Sequence, residues 1–373
     1  MTERLSTLLH TEAERLEVPA PPAAEVISRG HGLRRRRRLA TGVACVAAVA
    51  VVTVGTGYAV SRIGEDGGGR AVQPAGPSTG HGAVFTIGTT VYWDGGTEHT
   101  RIDDKAIKST YYTSAGLLVR HGNNNASDGG GPQRFSLVTE DGTVHPVSVV
   151  TEEVVPGVDP TQPYLAYAEV VDGQVQVVVH DVATDEEVAR WPVADAESWG
   201  GWTAPPVALN GDTVYVGTDD VMRTVDWRTG EVGTTDNLPP GYPDVKGGRA
   251  VARSGGQATV IDAASGKVLL SVDAGRFGYL FLSPDGRFAT MDSADGKSVD
   301  VYDVDAGTHI ALDGHSYGYG WSPDGDLFRV QGDHVITCST STAECTTGTT
   351  TIPQEGGGVA PKDLRYGNQT FES

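Results

Sequence analysis

Along most of this chain apolar residues come in short runs broken by clusters of Gly, Asp, Ser and Pro, a pattern that predicts many short strands rather than helices. Two runs flank the same turn, Phe281-Leu282-Ser283-Pro284-Asp285-Gly286-Arg287-Phe288 and Gly320-Trp321-Ser322-Pro323-Asp324-Gly325-Asp326-Leu327, with the turns 39 residues apart. Pro presets the backbone for the second turn position, Asp bonds back to the main chain and Gly takes positive φ, so SPDG between apolar runs reads as a hairpin. A second landmark is a strand that closes on a D-x-x-[ST/A]-G turn. It appears as VIDAASGKVLL at Asp262, VYDVDAGTHIAL at Asp303 and TVDWRTGEV at Asp226, and more loosely as VVHDVATDEEVARW at Asp181. Alignment on this turn adds VYWDGGTEH at Trp93, SLVTEDGTVHPV at Thr139 and VITCSTSTAECTT at Cys338. Successive landmarks are separated by 46, 42, 45, 36, 41 and 35 residues.

One unit reads as four strands, for example Tyr279–Leu282, Arg287–Asp292, Ser298–Val304 and His309–Leu312. Four short strands every ~40 residues is the unit of a β-propeller blade. The expected fold is therefore all-β, a propeller of about seven four-stranded blades over residues 83–373. Six or eight blades stay open because the first two units are degenerate. An immunoglobulin-like sandwich would also alternate strands and turns, but would not repeat its turn sequence at this period. Residues Gly122 to Pro132 read as a long loop inside blade two. Ring closure is expected between the strand near Val84–Ile87 and one after Cys345.

The N-terminal pattern is different. Leu39 to Val60 is an uncharged run of 22 residues, roughly 33 Å long as a helix and enough to cross a bilayer core. Arg34, Arg35, Arg36, Arg37 and Arg38 abut its start, which by the positive-inside rule holds the N-terminus in the cytoplasm. A cleaved signal peptide is the competing reading, with small residues at Gly57 and Ala59; the long polar lead favours an uncleaved single-pass anchor. Leu5, Leu8, Leu9 and Leu16 mark a short amphipathic helix in the tail. The expected organisation is a cytoplasmic tail (1–38), a transmembrane helix (39–60), a flexible Gly/Pro/Ser linker (61–82) and an extracytoplasmic propeller (83–373).

Charge sharpens this division. The chain has 28 Lys and Arg against 48 Asp and Glu, net −20. Residues 1–38 hold 8 basic and 5 acidic groups, residues 39–60 none, so residues 61–373 are net −23. So acidic a domain repels phosphate backbones and excludes nucleic acid as a partner, whereas the N-terminal run makes the membrane one. Of the three cysteines, Cys45 falls in the apolar run. Cys338 and Cys345 flank the tip of a hairpin, where a disulfide is expected in an extracytoplasmic setting.

The SPDG turns at Ser283–Gly286 and Ser322–Gly325, with Tyr302-Asp303 and Gly314-His315, resemble the WD40-like repeats of bacterial TolB-type propellers. The resemblance is carried by blades six and seven. It implies the fold and a habit of protein binding, not a reaction. The turns at Asp226 and Asp262 also resemble quinoprotein-type propeller repeats, but the chain has no adjacent cysteine pair, and no cofactor is expected.

Few residues suggest chemistry. Gly314-His315-Ser316-Tyr317-Gly318 formally matches a G-x-S-x-G nucleophile elbow, which needs a strand-to-helix turn and a later acid and His; only His334 follows, and the segment falls at a blade connection. The histidines show no metal-ligand spacing. Asn123, Asn124, Asn125 and Asp128, and the Asp219-Asp220 pair, offer oxygens for calcium, but a Gly-rich turn loop is the ordinary explanation of each. Trp191, Trp199, Trp202, Tyr317 and Tyr319 fall at blade connections and form the candidate binding surface for a protein or envelope component, core packing between blades being an equally good reading of each. The leading expectation is a non-enzymatic, membrane-tethered binding propeller. The alternatives are a hydrolase or lyase with its site at the central channel, and a transmembrane sensor whose tail binds a cytoplasmic regulator such as a sigma factor.

Overall fold

The computed structural model describes residues 82–123, 131–152, 154–195, 199, 203–275, 278–350, 352 and 363–367, the side chains of Ala194 and Asp195 excepted. They form seven four-stranded antiparallel sheets, a seven-bladed all-β propeller. Blade one contains β1 (Phe85–Ile87), β2 (Thr90–Trp93) and β3 (Glu98–Arg101), and blade two β4 (Ala106–Thr113), β5 (Gly116–Gly122), β6 (Gln133–Val138) and β7 (Val144–Thr151). Blade three is β8 (Gly157–Val158), β9 (Tyr164–Val171), β10 (Gln174–Asp181) and β11 (Glu186–Asp195); blade four is β12 (Val207–Asn210), β13 (Thr213–Gly217), β14 (Met222–Asp226) and β15 (Glu231–Thr235). Blade five is β16 (Val245–Lys246), β17 (Arg249–Ser254), β18 (Gln257–Asp262) and β19 (Val268–Asp273); blade six is β20 (Phe281–Leu282), β21 (Phe288–Asp292), β22 (Ser298–Asp303) and β23 (His309–Asp313). Blade seven is β24 (Gly320–Trp321), β25 (Leu327–Gln331), β26 (His334–Cys338) and β27 (Cys345–Thr349). The last strand, β28 (Leu364–Tyr366), returns to blade one and supplies its missing first strand, pairing Phe85 with Tyr366.

All seven sequence landmarks fall at the end of a third strand. The turns there work as the residues dictate. Asp262 Oδ1 accepts from the N–H and the hydroxyl of Ser265 (2.8 and 2.6 Å), and Asp226 Oδ1 accepts from the N–H groups of Arg228 and Thr229. In the SPDG turn of blade six, Ser283 Oγ accepts the Phe288 N–H at 3.0 Å and donates to Asp285 at 2.6 Å. Gly286 closes it at φ +71°, and a Cβ there would lie 2.3 Å from the Lys246 carbonyl of the neighbouring blade. Only Gly meets both demands.

The molecule has no single core. Among the described residues, buried apolar side chains form seven clusters, each shared by two adjacent blades; Val301 and Leu312 of blade six, for example, pack with Trp321 and Leu327 of blade seven. Both faces of a blade are therefore covered, and β4 and β5 are buried throughout although they carry Lys108, Ser109, Thr110, Arg120 and His121. The outer strands β15 and β27 are almost wholly exposed.

Ring closure rests on β28, which is only three residues long. Arg365 donates to the Lys108 carbonyl (2.9 Å), Tyr366 Oη donates to the Gly318 carbonyl (2.9 Å), and the Gly367 N–H bonds to the Val84 carbonyl (2.7 Å). Tyr112 of blade two reaches past blade one to the Trp321 carbonyl of blade seven (2.8 Å). Burial pushes the Tyr112 phenol far above its ordinary value.

The antiparallel order divides the loops between two faces. Turns from first to second and from third to fourth strands share one face, here the turn face. Second-to-third turns and the blade-to-blade connections share the other, the connection face. The described chain begins before β1 and ends after β28, both on the turn face. Arg34 to Arg38, the 39–60 run and the linker lie outside the described residues; among the described residues no helix is long and apolar enough to cross a membrane.

Candidate functional site

A groove opens on the connection face between the ends of blades five, six and seven. Its volume is about 880 Å³. One wall is the β19–β20 connection with Asp273, Gly275 and Tyr279; the floor is Phe281 and Met291; the other wall is the β23–β24 connection with Ser316 and Tyr317. Arg276 and Phe277 lie outside the described residues.

Local chemistry fixes both walls. The Gly278 N–H closes a tight turn on the Ala274 carbonyl (2.8 Å), so close that a Cβ on Gly278 would meet that oxygen at 2.5 Å. Asp273 Oδ1 accepts the Gly275 N–H at 3.0 Å. Across the groove, Ser316–Gly318 is a single 3-10 turn whose first N–H is held by Asp292 Oδ1 at 2.6 Å. Tyr319 anchors its far end, donating to the Asp313 carbonyl (2.6 Å) with the Arg329 guanidinium 5.4 Å from its ring.

This geometry separates two tyrosines that the sequence presents together. Tyr317 is 68% exposed and stacks on His315 at 5.2 Å, whereas Tyr319 is 3% exposed and belongs to the core between blades six and seven. Tyr319 is therefore corrected from candidate anchor to core residue: Asp313 and Arg329 turn it inward. Trp191 is also a packing residue on the turn face. Its indole donates to the Trp227 carbonyl (2.7 Å), and its ring lies against Gly230. Trp199 is half-buried against the core of blades three and four, and Trp202 lies outside the described residues.

Two further rings join Tyr317. Tyr279 and Phe281 are 42% and 46% exposed, and their rings meet at a tilt of 59° with centroids 5.1 Å apart. Burial first, and the Asp244 carboxylate second, push the Tyr279 phenol up. Neither residue stood out in the sequence, although the repeat held a signal. Counted from the SPDG turns, Phe281 takes the place that Gly320 takes in blade seven, where a Cβ would meet Tyr366 at 2.5 Å. A large apolar residue where the repeat demands the smallest points to a locally open neighbourhood.

A second polar arrangement lies in blade two. Asp104 Oδ2 accepts from Arg134 Nη2 at 2.6 Å and lies 2.7 Å from His121 Nδ1, while His121 Nε2 lies 2.9 Å from Ser136 Oγ. Burial alone would raise the Asp104 carboxyl, but hydrogen bonds from His121, Arg134 and the Lys105 N–H outweigh it and hold it below its ordinary value. The order Asp, His, Ser resembles a catalytic relay, yet Ser136 is buried in the middle of β6. Its main chain is paired with β5 and β7 and offers no N–H pair to a developing oxyanion. The relay is a structural tie between the β3–β4 connection and the two middle strands of blade two.

The other chemical candidates are placed plainly. In GHSYG, Ser316 sits in a 3-10 turn between two strands, not at a strand-to-helix elbow. Asn123 Oδ1 accepts from Arg134 (3.0 Å) and Asp220 accepts the Thr218 hydroxyl (2.9 Å); Asn124, Asn125 and Asp128 lie outside the described residues. Among the described residues no group of three or more His, Cys, Asp or Glu is placed to hold a metal ion. Near the axis, the innermost strands of blades two to five leave a void of only about 50 Å³, because Gly157 lets Ala208 approach its backbone directly. Cys338 and Cys345 face each other across β26 and β27 and are joined by a disulfide, with Cα atoms 4.0 Å apart.

No protein-family model matches the chain, and no curated protein matches its sequence. Solved structures resemble it at the level of fold. TolB from Acinetobacter baumannii is 16% identical over 63% of this chain and 62% of its own, with a TM-score of 0.38. The Cps50 (Swd1) β-propeller domain of Myceliophteria thermophila is 12% identical over 67% of this chain and 88% of its own, with a TM-score of 0.40. Hydrazine synthase of Kuenenia stuttgartiensis is 16% identical over 69% of this chain and 99% of its own, with a TM-score of 0.38. Proteins named so differently share the architecture alone.

Proposed function

We propose that this protein is a membrane-anchored, non-enzymatic β-propeller that binds a protein or cell-envelope component outside the cytoplasm, and that the groove on its connection face is the binding site. The observation that carries the reading is the cluster of Tyr279, Phe281 and Tyr317. Three exposed rings gathered in one concavity cost solvation that a bound partner would recover, and Tyr and Phe are common anchors of interfaces. The anchor is supported by the uncharged Leu39–Val60 run beside Arg34–Arg38 and the acidic repeats after it.

The test is chemical cross-linking in intact cells of the full-length protein and of a Phe281→Ala, Tyr317→Ala variant. The wild type should give a defined cross-linked species that the variant loses while keeping its thermal transition. Equal cross-linking of both forms would overturn the site. Turnover of a lactone, peptide or glycoside by the purified protein, lost in the same variant, would overturn the non-enzymatic reading.

A further inference from the structure

We infer that β27, the outer strand of blade seven, is an O-glycosylation site whose acceptors are the hydroxyls of Thr346, Thr347 and Thr349. The inference rests on the placement outside the cytoplasm proposed above and is independent of the groove.

The first observation is how the seven outer strands guard their free edges. A strand with nothing beside it offers unpaired N–H and C=O groups to any other chain, and proteins blunt such edges with charge, Pro or irregular register. Four outer strands, β3, β15, β19 and β23, carry an Asp, Glu or Arg. Two more, β7 and β11, carry a Pro and a shifted register. β27 has none of these devices. Its sequence is Cys-Thr-Thr-Gly-Thr, its pairing with β26 runs in unbroken register, and every residue in it is exposed. Among the described residues no strand lies beyond it. The Cys338–Cys345 bridge holds it on β26, so the edge stays extended and open.

The second observation is hydroxyl density. Residues 339–351 hold nine Ser and Thr among 13 positions, a composition typical of O-glycosylated segments. In the turn before β27 these hydroxyls close the backbone: Ser339 Oγ accepts the Ser341 N–H and Thr342 Oγ1 accepts the Glu344 N–H, both at 3.3 Å. On β27 they do not. Thr347 and Thr349 make no side-chain hydrogen bond among the described residues, and Thr346 Oγ1 reaches only the Thr337 carbonyl at 3.5 Å. Strand propensity alone accounts for Thr in a strand, but it leaves this edge unguarded.

The chemistry of the edge selects its cover. A docked partner strand draws specificity from side-chain pockets beside the edge, and β27 offers only Thr, Gly and a bridged Cys. A phosphate would add charge beside Glu344 in a region, 61–373, that is already net −23. A neutral hexose adds bulk and hydroxyls without charge. In its transfer, the Thr oxygen attacks the anomeric carbon of a hexose carried on a lipid phosphate. The new C–O bond forms as the bond from that carbon to the phosphate breaks. The electron pair leaves on the lipid phosphate, the hydroxyl proton passes to a base of the transferase, and nothing is oxidised or reduced.

The experiment is mass spectrometry of the full-length protein purified in detergent from its own cells, beside the same chain made in a cytoplasm without glycosyl transfer. The first should carry hexose increments, mapped to Thr346, Thr347 or Thr349 by fragmentation that spares glycosidic bonds, and the second none. Thr346→Val, Thr347→Val and Thr349→Val together should abolish the increments, whereas Ser at the same three positions should keep them. Equal bare masses would overturn the assignment, as would phosphate increments or hexose confined to Ser78 and Thr79 of the linker. Trypsin added to spheroplasts separates this inference from the placement it rests on. If trypsin cuts at Arg62 or Arg70 while β27 is bare, the modification fails and the placement stands. If the linker is protected and β27 is bare, both fail.

Discussion

The two faces of this propeller are built on different principles. On the turn face, several loops are closed by their own residues: Asp262 with Ser265, Asp226 with Thr229, Ser283 with Asp285 and Phe288. On the connection face, the loop between β23 and β24 also depends on residues farther along the chain. The Ser316–Gly318 turn is held by Asp292 at the end of β21 in blade six and by Tyr366 from the C-terminal strand. The difference teaches where variation is tolerated. A turn that closes locally repeats from blade to blade, whereas a connection held from outside can depart from the repeat and expose Tyr279, Phe281 and Tyr317.

The comparison breaks most sharply at Gly286. A Val there combines positive φ with a clash against the Lys246 carbonyl and should destabilise the protein by about 3 kcal/mol or more, read as a lost or greatly lowered thermal transition. Next comes Asp104→Ala. It leaves Arg134 and His121 without their shared carboxylate and should cost about 3 kcal/mol in denaturant unfolding, which would show that the connection face is rigid at blade two although it is open at the groove.

A smaller effect is spread over the turn face. The Asp262 carboxyl is held below its ordinary value first by the Ser265 hydroxyl and then by the Ser265 N–H, and that of Asp226 first by the Thr229 N–H. A carboxylate whose folded pKa is depressed adds stability that is present above its unfolded pKa and lost as pH falls through the folded value. Stability should therefore be flat from neutral pH to about 5 and decline below about 4. Asp262→Ala should cost about 1 kcal/mol or less and make the acid decline shallower. Smallest of all, Tyr317→Ala should change stability by no more than about 0.5 kcal/mol, since its ring supports nothing but His315.

The same division explains what the sequence disclosed. Pro284-Asp285-Gly286 and Asp262 to Gly266 state their turn in their own chemistry, and their spacing points to about seven blades, six or eight staying open until the degenerate first two units are seen. The pairing of Phe85 with Tyr366 was legible only as a closure somewhere after Cys345, because β28 is three residues long and is fixed by Lys108, Val84 and Gly318. Tyr317 and Tyr319 are adjacent in pattern but opposite in fate, and the difference lies in Asp313 and Arg329. Tyr279 and Phe281 looked like ordinary strand residues. Only comparison with Gly320 at the same repeat position marks Phe281 as unusual. The Asp104–His121–Ser136 tie joins three elements with no motif spacing, so no single-sequence pattern could assemble it.

The central claim is that partner binding belongs to the groove and not to the turn face. The most direct measurement places a photoreactive amino acid at Tyr317, and in a second protein at the exposed Ser341 of the turn face, and irradiates intact cells expressing each. Covalent adducts at position 317 and none at 341 are predicted. Adducts at 341 alone, or equally at both, would contradict the account.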